Sequence, residues 1–219
     1  MAGDARQDNQ ILSTDLPISR AYEAFKRVFD FILAFIGLIV LSPLLVMIAV
    51  AIKLTSSGPI FYRGVRTGRH GKFFRMMKFR TMVANAESVG GTSTAETDPR
   101  ITRIGKWLRA HKLDEFPQLF NVLKGEMSLV GPRPEVEEYT RLYTPEEMAI
   151  LEVPPGITDF SSIKFRDLNA ILAEADDPDK YFAENVLPTK NKLRLEYVRN
   201  RSLWLDFKII FLTLRAIWQ

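Results

Sequence analysis

The chain has 219 residues, 47% of them hydrophobic, which supplies one packed domain plus a membrane element and excludes wholesale disorder. Its net charge of +4 favours anionic partners such as phosphates, anionic lipid or nucleic acid. With no cysteine and only His70 and His111, disulfides, thiolate zinc sites, a cysteine nucleophile and a histidine-rich metal centre are excluded.

Residues 1–18 are polar, without periodicity, and read as a flexible arm rather than a signal peptide, because no apolar core follows a basic start. Phe31 to Ile52 then runs without a charge. As a helix it is about 33 Å long, against a hydrocarbon core of about 30 Å. Lys26 and Arg27 flank one end, and Lys53, Arg63 and Arg66 the other, so loop charge hardly orients it. Ser42-Pro43 lies at its midpoint. Pro43 removes a backbone donor, and the Ser42 hydroxyl can satisfy the freed carbonyl. The residues alone leave two arrangements open: a kinked spanning helix, or a bend that returns both ends to one leaflet.

Arg63 to Arg80 carries seven Lys or Arg residues and no acid. Lys78 and Arg80 there suit phosphates or lipid headgroups, or simply a solvated basic face. Interleaved aromatics of a groove-like pattern are missing, which argues against nucleic acid. Lys72 to Met82 reads as a short strand or a helix start, and Val83 to Thr97 as a loop. Helices are predicted over Thr102 to Leu108, Pro117 to Leu123, Glu135 to Leu151 and Lys190 to Arg199, with a rigid turn at Gly131-Pro132-Arg133-Pro134. Leu203 to Trp218 is apolar nearly all round and, at about 24 Å, short for a span. It is expected to pack against the domain or to lie at the bilayer surface.

Asp114-Glu115-Phe116-Pro117 is the candidate centre of chemistry. Proline is tolerated in a first helical turn, so Pro117 suggests a helix beginning near Asp114. A carboxylate there is favoured in its ionised form, and the same helix end offers N–H groups to a phosphate. An ionised Asp can attack phosphorus to form an acyl phosphate. It can equally be a plain helix cap. Neighbouring helical residues face different ways, so Asp114 and Glu115 are expected to divide the work, one attacking and one holding a metal or proton. Two anions approach each other only when Mg²⁺ or arginine screens the charge. Arg109, His111, Lys112 and Arg133 are the nearby cations. Arg133 stands between two prolines that restrain its direction, and it either grips a phosphate with two hydrogen bonds or is a surface turn residue.

Three longer stretches carry a resemblance. Lys112 to Glu135 (KLDEFPQLFNVLKGEMSLVGPRPE), Met77 to Met82 (MKFRTM) and Thr97 to Arg109 (TDPRITRIGKWLR) closely resemble the bacterial sugar transferases called monotopic phosphoglycosyl transferases. Lys26 to Asp30 and the apolar Ser-Pro segment look like that family's start, so the resemblance covers roughly residues 20–219. It implies transfer of a sugar-1-phosphate from a UDP-sugar to polyprenyl (undecaprenyl) phosphate with release of UMP, opening glycoconjugate assembly for downstream glycosyltransferases. It implies Mg²⁺, held by Asp114 and Glu115, and a covalent phosphosugar on Asp114. It places substrate phosphates at Lys78, Arg109 and Arg133. It makes Ser42-Pro43 the break of a re-entrant hairpin, on the cytoplasmic face of the bacterial inner membrane.

The expected fold is therefore α+β and mostly helical. Residues 1–18 form the arm, 19–54 the re-entrant membrane helix, and 55–219 a helix-rich cytosolic catalytic domain with a minor β element and interfacial helices. The length leaves no room for the extra transmembrane helices of larger members, so the minimal catalytic form is expected, and a homo-oligomer is compatible with it. One stretch departs from the family pattern. Many members follow Pro-Gly-Ile-Thr with Gly-Trp-Ala-Gln-Val-Asn-Gly-Arg, whereas Pro155 to Asp167 reads PGITDFSSIKFRD. Asp159, Lys164 and Arg166 are the candidates there for sugar or nucleotide specificity. Two rival readings are a non-catalytic membrane adaptor and a hydrolase of lipid-linked diphosphates.

Overall fold

The computed structural model describes residues 20–84, 86 and 98–217. The arm over residues 1–18 and nearly all of the loop from Val83 to Thr97 lie outside the described residues. The described residues are mostly helical with two small two-stranded sheets.

Helix α1 runs from Arg20 to Thr55 and contains Pro43 without interruption. Pro43 has no N–H, so the carbonyl of Ile39, four residues back, loses its helical donor. The Ser42 hydroxyl donates to that carbonyl at 2.7 Å. Only 17% of the most apolar 18-residue window is buried, unlike the mostly buried core helix of a soluble domain. Val40 is 69% exposed near the midpoint, with exposed Ile39 and Met47 on either side.

The first turns of α1 are clamped to the rest of the chain. Arg27 donates to the carbonyls of Val122 and Leu123 at 2.5 and 2.8 Å. Asp30 accepts from the Ser128 hydroxyl at 2.7 Å, and Lys26 reaches Asp206 at 2.8 Å. Lys26 and Arg27 thus serve as internal ties as well as a basic flank.

Strands β1 (Phe61–Thr67) and β2 (Phe73–Phe79) form an antiparallel hairpin with Tyr62 opposite Lys78. The stretch left open between strand and helix is therefore a strand. Helix α2 (Arg103–Ala110) is capped by Thr102, whose side chain accepts from Gly105 N–H. Gly105 is required by packing, since a Cβ there would lie 1.9 Å from the Thr81 carbonyl oxygen. Helix α3 (Gln118–Lys124) ends at Gly125, whose φ of 82° is left-handed.

Strands β3 (Ser128–Val130) and β4 (Gly156–Thr158) pair in parallel, Ser128 with Gly156 and Val130 with Thr158. At this pair two backbones touch: a Cβ on Gly156 would come within 2.1 Å of the Gly131 nitrogen. The crossover between them was predicted to be one helix over Glu135 to Leu151. It is instead a single turn, α4 (Glu137–Thr140), and a 3₁₀ segment, Glu147–Glu152. Thr144-Pro145 breaks it, because the residue before a proline is pushed out of helical geometry.

Short helices α5 (Phe160–Lys164), α6 (Leu168–Ala173) and α7 (Pro178–Tyr181) lead to α8 (Leu187–Asn200) and α9 (Leu203–Ile217). The core falls into four clusters rather than one. Two of them join α1 to the domain: Ala34 with Met76 and Val122, and Ile48 and Ile52 with Phe79 and Leu108. Helix α9 buries Asp206 and Ile209 while Trp204, Phe207, Phe211 and Leu214 stay exposed. It thus packs on the domain along one face and leaves an aromatic face open.

Candidate active site

Lys112 has a φ of 56°, which turns the chain sharply at the end of α2 and into a 3₁₀ turn, Leu113–Glu115. The α-helix expected to begin near Asp114 begins instead at Gln118. The cause is Pro117, which cannot donate to the Leu113 carbonyl, so the preceding residues keep the tighter turn. Leu113 packs in the cluster of Ile48 and Ile52 and so seats the turn on α1.

The two carboxylates of this turn have different surroundings. Glu115 Oε1 accepts from Lys78 Nζ at 2.7 Å and also from Arg133 Nη2. Asp114 is 7% exposed and, among the described residues, its carboxylate takes no hydrogen bond. It caps no helix, because the N-cap position of α3 is Pro117. Its charge is balanced through space by Lys78, Arg109 and Arg133. Burial would raise the Glu115 carboxyl, but Arg133 and Lys78 outweigh it and hold the group well below the usual carboxylate range. Burial pushes Asp114 the other way, upward, and the negative Glu115 beside it adds to the rise. Two neighbouring carboxyls are thereby pushed apart, as expected where they do different work.

All three cations that the resemblance pointed to converge here. Lys78 comes from β2. Arg109 comes from the last turn of α2, where its Nε donates to the Thr81 hydroxyl at 2.9 Å. Its terminal nitrogens have no partner among the described residues and remain available to an anion. Arg133 is held at three points. Its Nη1 donates to the Ile157 carbonyl at 2.7 Å, its Nη2 to Glu115, and its backbone N–H to Asp159 Oδ2 at 3.0 Å. His111 is turned away: it is exposed and its Nδ1 lies 2.8 Å from the Trp107 carbonyl.

Of the three specificity candidates, Asp159 is 1% exposed. It caps α5 through Ser162 N–H at 2.6 Å and accepts from the Ser161 hydroxyl at 2.8 Å. Lys164 lies over the Phe165 ring at 5.8 Å, and Arg166 donates to the Ala216 carbonyl on α9. Neither of these two bonds to the dyad or its cations.

Residues that the sequence reading missed sit behind the site. Thr81 sets the direction of Arg109, and no local pattern marks a threonine for that role. Glu135 follows Pro134 and accepts from Lys190 Nζ at 3.0 Å and Arg194 Nη2 at 2.6 Å. Burial would raise Glu135, but Lys190 and Arg194 bring it down to about 2. Its place in Gly-Pro-Arg-Pro-Glu, beside Arg133, was the available signal.

Among the described residues no three His, Cys, Asp or Glu side chains group into a metal cage. Asp114 offers both carboxylate oxygens and Glu115 its Oε2, since the hydrogen bonds from Lys78 and Arg133 both use Oε1. Adjacent hard oxygens without further protein ligands suit Mg²⁺, which is usually held by one or two carboxylates plus substrate phosphates.

The family model described as bacterial sugar transferase matches residues 21–219. The chain is 41% identical over 91% of its length to an undecaprenyl-phosphate glucose phosphotransferase of Komagataeibacter xylinus, covering 37% of that protein. It is 39% identical over 98% of its length to a UDP-N-acetylgalactosamine-undecaprenyl-phosphate N-acetylgalactosaminephosphotransferase of Aeromonas hydrophila, covering 48% of it. The chain thus spans less than half the length of these two relatives. It is also 39% identical to a sugar transferase, EpsL, of Bacillus subtilis, and covers 86% of that protein. Matched along nearly its whole length, the chain belongs to the bacterial sugar transferase family.

Proposed function

We propose that the chain transfers a sugar-1-phosphate from a UDP-sugar to polyprenyl phosphate through a covalent phosphosugar on Asp114. The observation that carries this is a buried aspartate, without a hydrogen bond from the described residues, among Lys78, Arg109 and Arg133 on a turn seated on the apolar helix α1. In the first step Asp114 attacks the sugar-bearing phosphorus, an aspartyl P–O bond forms, and the bond to the UMP oxygen breaks. UMP leaves with the bonding electron pair. In the second step an oxygen of polyprenyl phosphate attacks the same phosphorus and frees Asp114. Arg109 and Arg133 hold the diphosphate oxygens in line and offset their charge. Lys78 and Arg133 keep Glu115 ionised, so that it can share a cation with Asp114. Mg²⁺ held by Asp114, Glu115 and the diphosphate would screen the repulsion between the attacking and attacked anions.

The names of the relatives, with glucose or N-acetylgalactosamine phosphate as cargo and undecaprenyl phosphate as acceptor, support this reaction class. The product would feed the glycosyltransferases that extend a polysaccharide. The site is proposed to lie on the cytoplasmic face of the inner membrane, with α1 entering one leaflet and returning. Support comes from Pro43 in the middle of this exposed apolar helix, where the Ser42 hydroxyl takes over the Ile39 carbonyl that Pro43 leaves without a donor.

The test supplies UDP-sugars, polyprenyl phosphate and Mg²⁺ to purified protein and measures UMP. Intact-protein mass spectrometry without acceptor should show a phosphosugar adduct. Asp114→Asn should lose both, and full turnover by that variant would remove Asp114 as the nucleophile.

A further inference from the structure

The stretch that departs from the family pattern turns Asp159 and Ser161 inward, while Lys164, Arg166 and Asp167 stay exposed. Asp159 is buried behind Arg133, and its carboxylate is shared by four groups. Two are the backbone N–H of Arg133 and the Ser161 hydroxyl, at 3.0 and 2.8 Å. The other two are Ser162 N–H and Arg194, whose Nε faces Oδ2 at 3.5 Å as an ion pair rather than a hydrogen bond. Arg194 is fully buried. Its other end is fixed by Glu135 at 2.6 Å, and Glu135 lies two residues beyond Arg133. A closed circuit results: Arg133 to Asp159, Asp159 to Arg194, Arg194 to Glu135, and Glu135 back along the chain through Pro134 to Arg133.

Such a circuit has a directional effect. Proline on each side leaves the Arg133 segment few ways to move, and the circuit holds it from behind at both ends. The guanidinium can then reach Glu115 and the Ile157 carbonyl at once. A buried ion pair of this kind is weak evidence for stability, and fixing one arrangement is its better-attested use.

We infer that Asp159 and Arg194 are positioning residues, which aim the Arg133 guanidinium at the dyad and at the substrate diphosphate. Asp159 thus acts on the reaction through Arg133 rather than by touching the sugar. The part of this that concerns substrate rests on the proposed transferase reaction; the part that concerns Arg133 does not.

The experiment treats full-length protein in detergent with phenylglyoxal and follows the adduct at Arg133 by peptide mass spectrometry. Arg141, an exposed surface arginine, is the internal control. Asp159→Asn keeps the side-chain shape and a capping oxygen but removes the charge facing Arg194. Weakening one such bond should raise the Arg133 adduct rate about fivefold, with Arg141 unchanged. Ser161→Ala and Arg194→Lys should act in the same direction and serve if Asp159→Asn does not fold.

Single-turnover UMP release supplies the second reading. Asp159→Asn should lower it about tenfold with Arg133 present, but less than about twofold in an Arg133→Ala background, because the two act as one unit. Unchanged Arg133 reactivity in all three variants would overturn the inference. So would an equal loss of turnover with and without Arg133, which marks a merely structural role. Raised reactivity at Arg133 in a chain that releases no UMP from any UDP-sugar would uphold the positioning and sink the transferase reading.

Discussion

Thr81→Val tests the reasoning at a residue that touches no substrate. The substitution is nearly isosteric and removes one hydroxyl, the acceptor 2.9 Å from Arg109 Nε. The Thr81 carbonyl is untouched and continues to accept from Thr102 N–H at 2.9 Å, so α2 keeps its seat. What changes is the side chain that aims Arg109. A hydrogen bond to a charged group is worth about 1.5–3 kcal/mol. If that bond only orients Arg109 toward a phosphate that gains charge in the transition state, most of its loss appears in kcat/KM. The expected fall is then about 10-fold to 100-fold. The assay is UMP release at varied UDP-sugar, with thermal unfolding in the same detergent as the control for folding. A kcat/KM within about twofold of the native value would refute the argument, because a hydrogen bond to a charged group is worth more than that.

Gly105→Ala should prove far more damaging than an ordinary helical Gly to Ala change, because its new Cβ would meet the Thr81 carbonyl at 1.9 Å. Helix propensity alone would favour alanine by about 1 kcal/mol, so a loss of stability and of turnover together would identify the clash as the cause. Arg27→Ala should destabilise the fold by about 1–3 kcal/mol, since it removes two charge-assisted bonds to carbonyls at the end of α3 and leaves Val122 only its bond from Gly125 N–H; denaturant unfolding in detergent checks it. The pH profile follows from Asp114. Its folded pKa is raised by burial and by Glu115, so its reactive ionised form is lost as pH falls from a higher value than for an ordinary aspartate. The acid limb of kcat/KM should therefore lie above about 3.9 at low Mg²⁺ and move down as Mg²⁺ increases. An acid limb indifferent to Mg²⁺ would separate the cation from the dyad.

The parts of the site that sequence revealed are those whose chemistry is compact. Asp114, Glu115, Lys78, Arg109 and Arg133 were singled out by the stretches that carry the family resemblance, and the fold brings all five together. The apolar helix was equally plain, and Ser42 does bond the carbonyl that Pro43 leaves free. What stayed hidden depends on pairing between distant segments. Asp159 meets Arg133 only because Ser128–Val130 lies parallel to Gly156–Thr158, and nothing local in either strand announces a partner nearly thirty residues away. Arg194 looked like one more charge on a helix, yet it is wholly enclosed. The long helix expected over Glu135 to Leu151 failed for a local reason, the proline at 145, which outweighed a run of good helix formers.

Leu113 lies beside Asp114 in sequence and in the same cluster as Ile48 and Ile52 of α1. In the proposed arrangement the depth of Asp114 relative to the lipid is therefore coupled to α1 through this packing. Anything that lifts or sinks that helix, such as thicker or thinner acyl chains, would then carry Asp114 with it. Bilayer thickness then becomes a gauge of whether a lipid-borne phosphate meets the enzyme at the right depth.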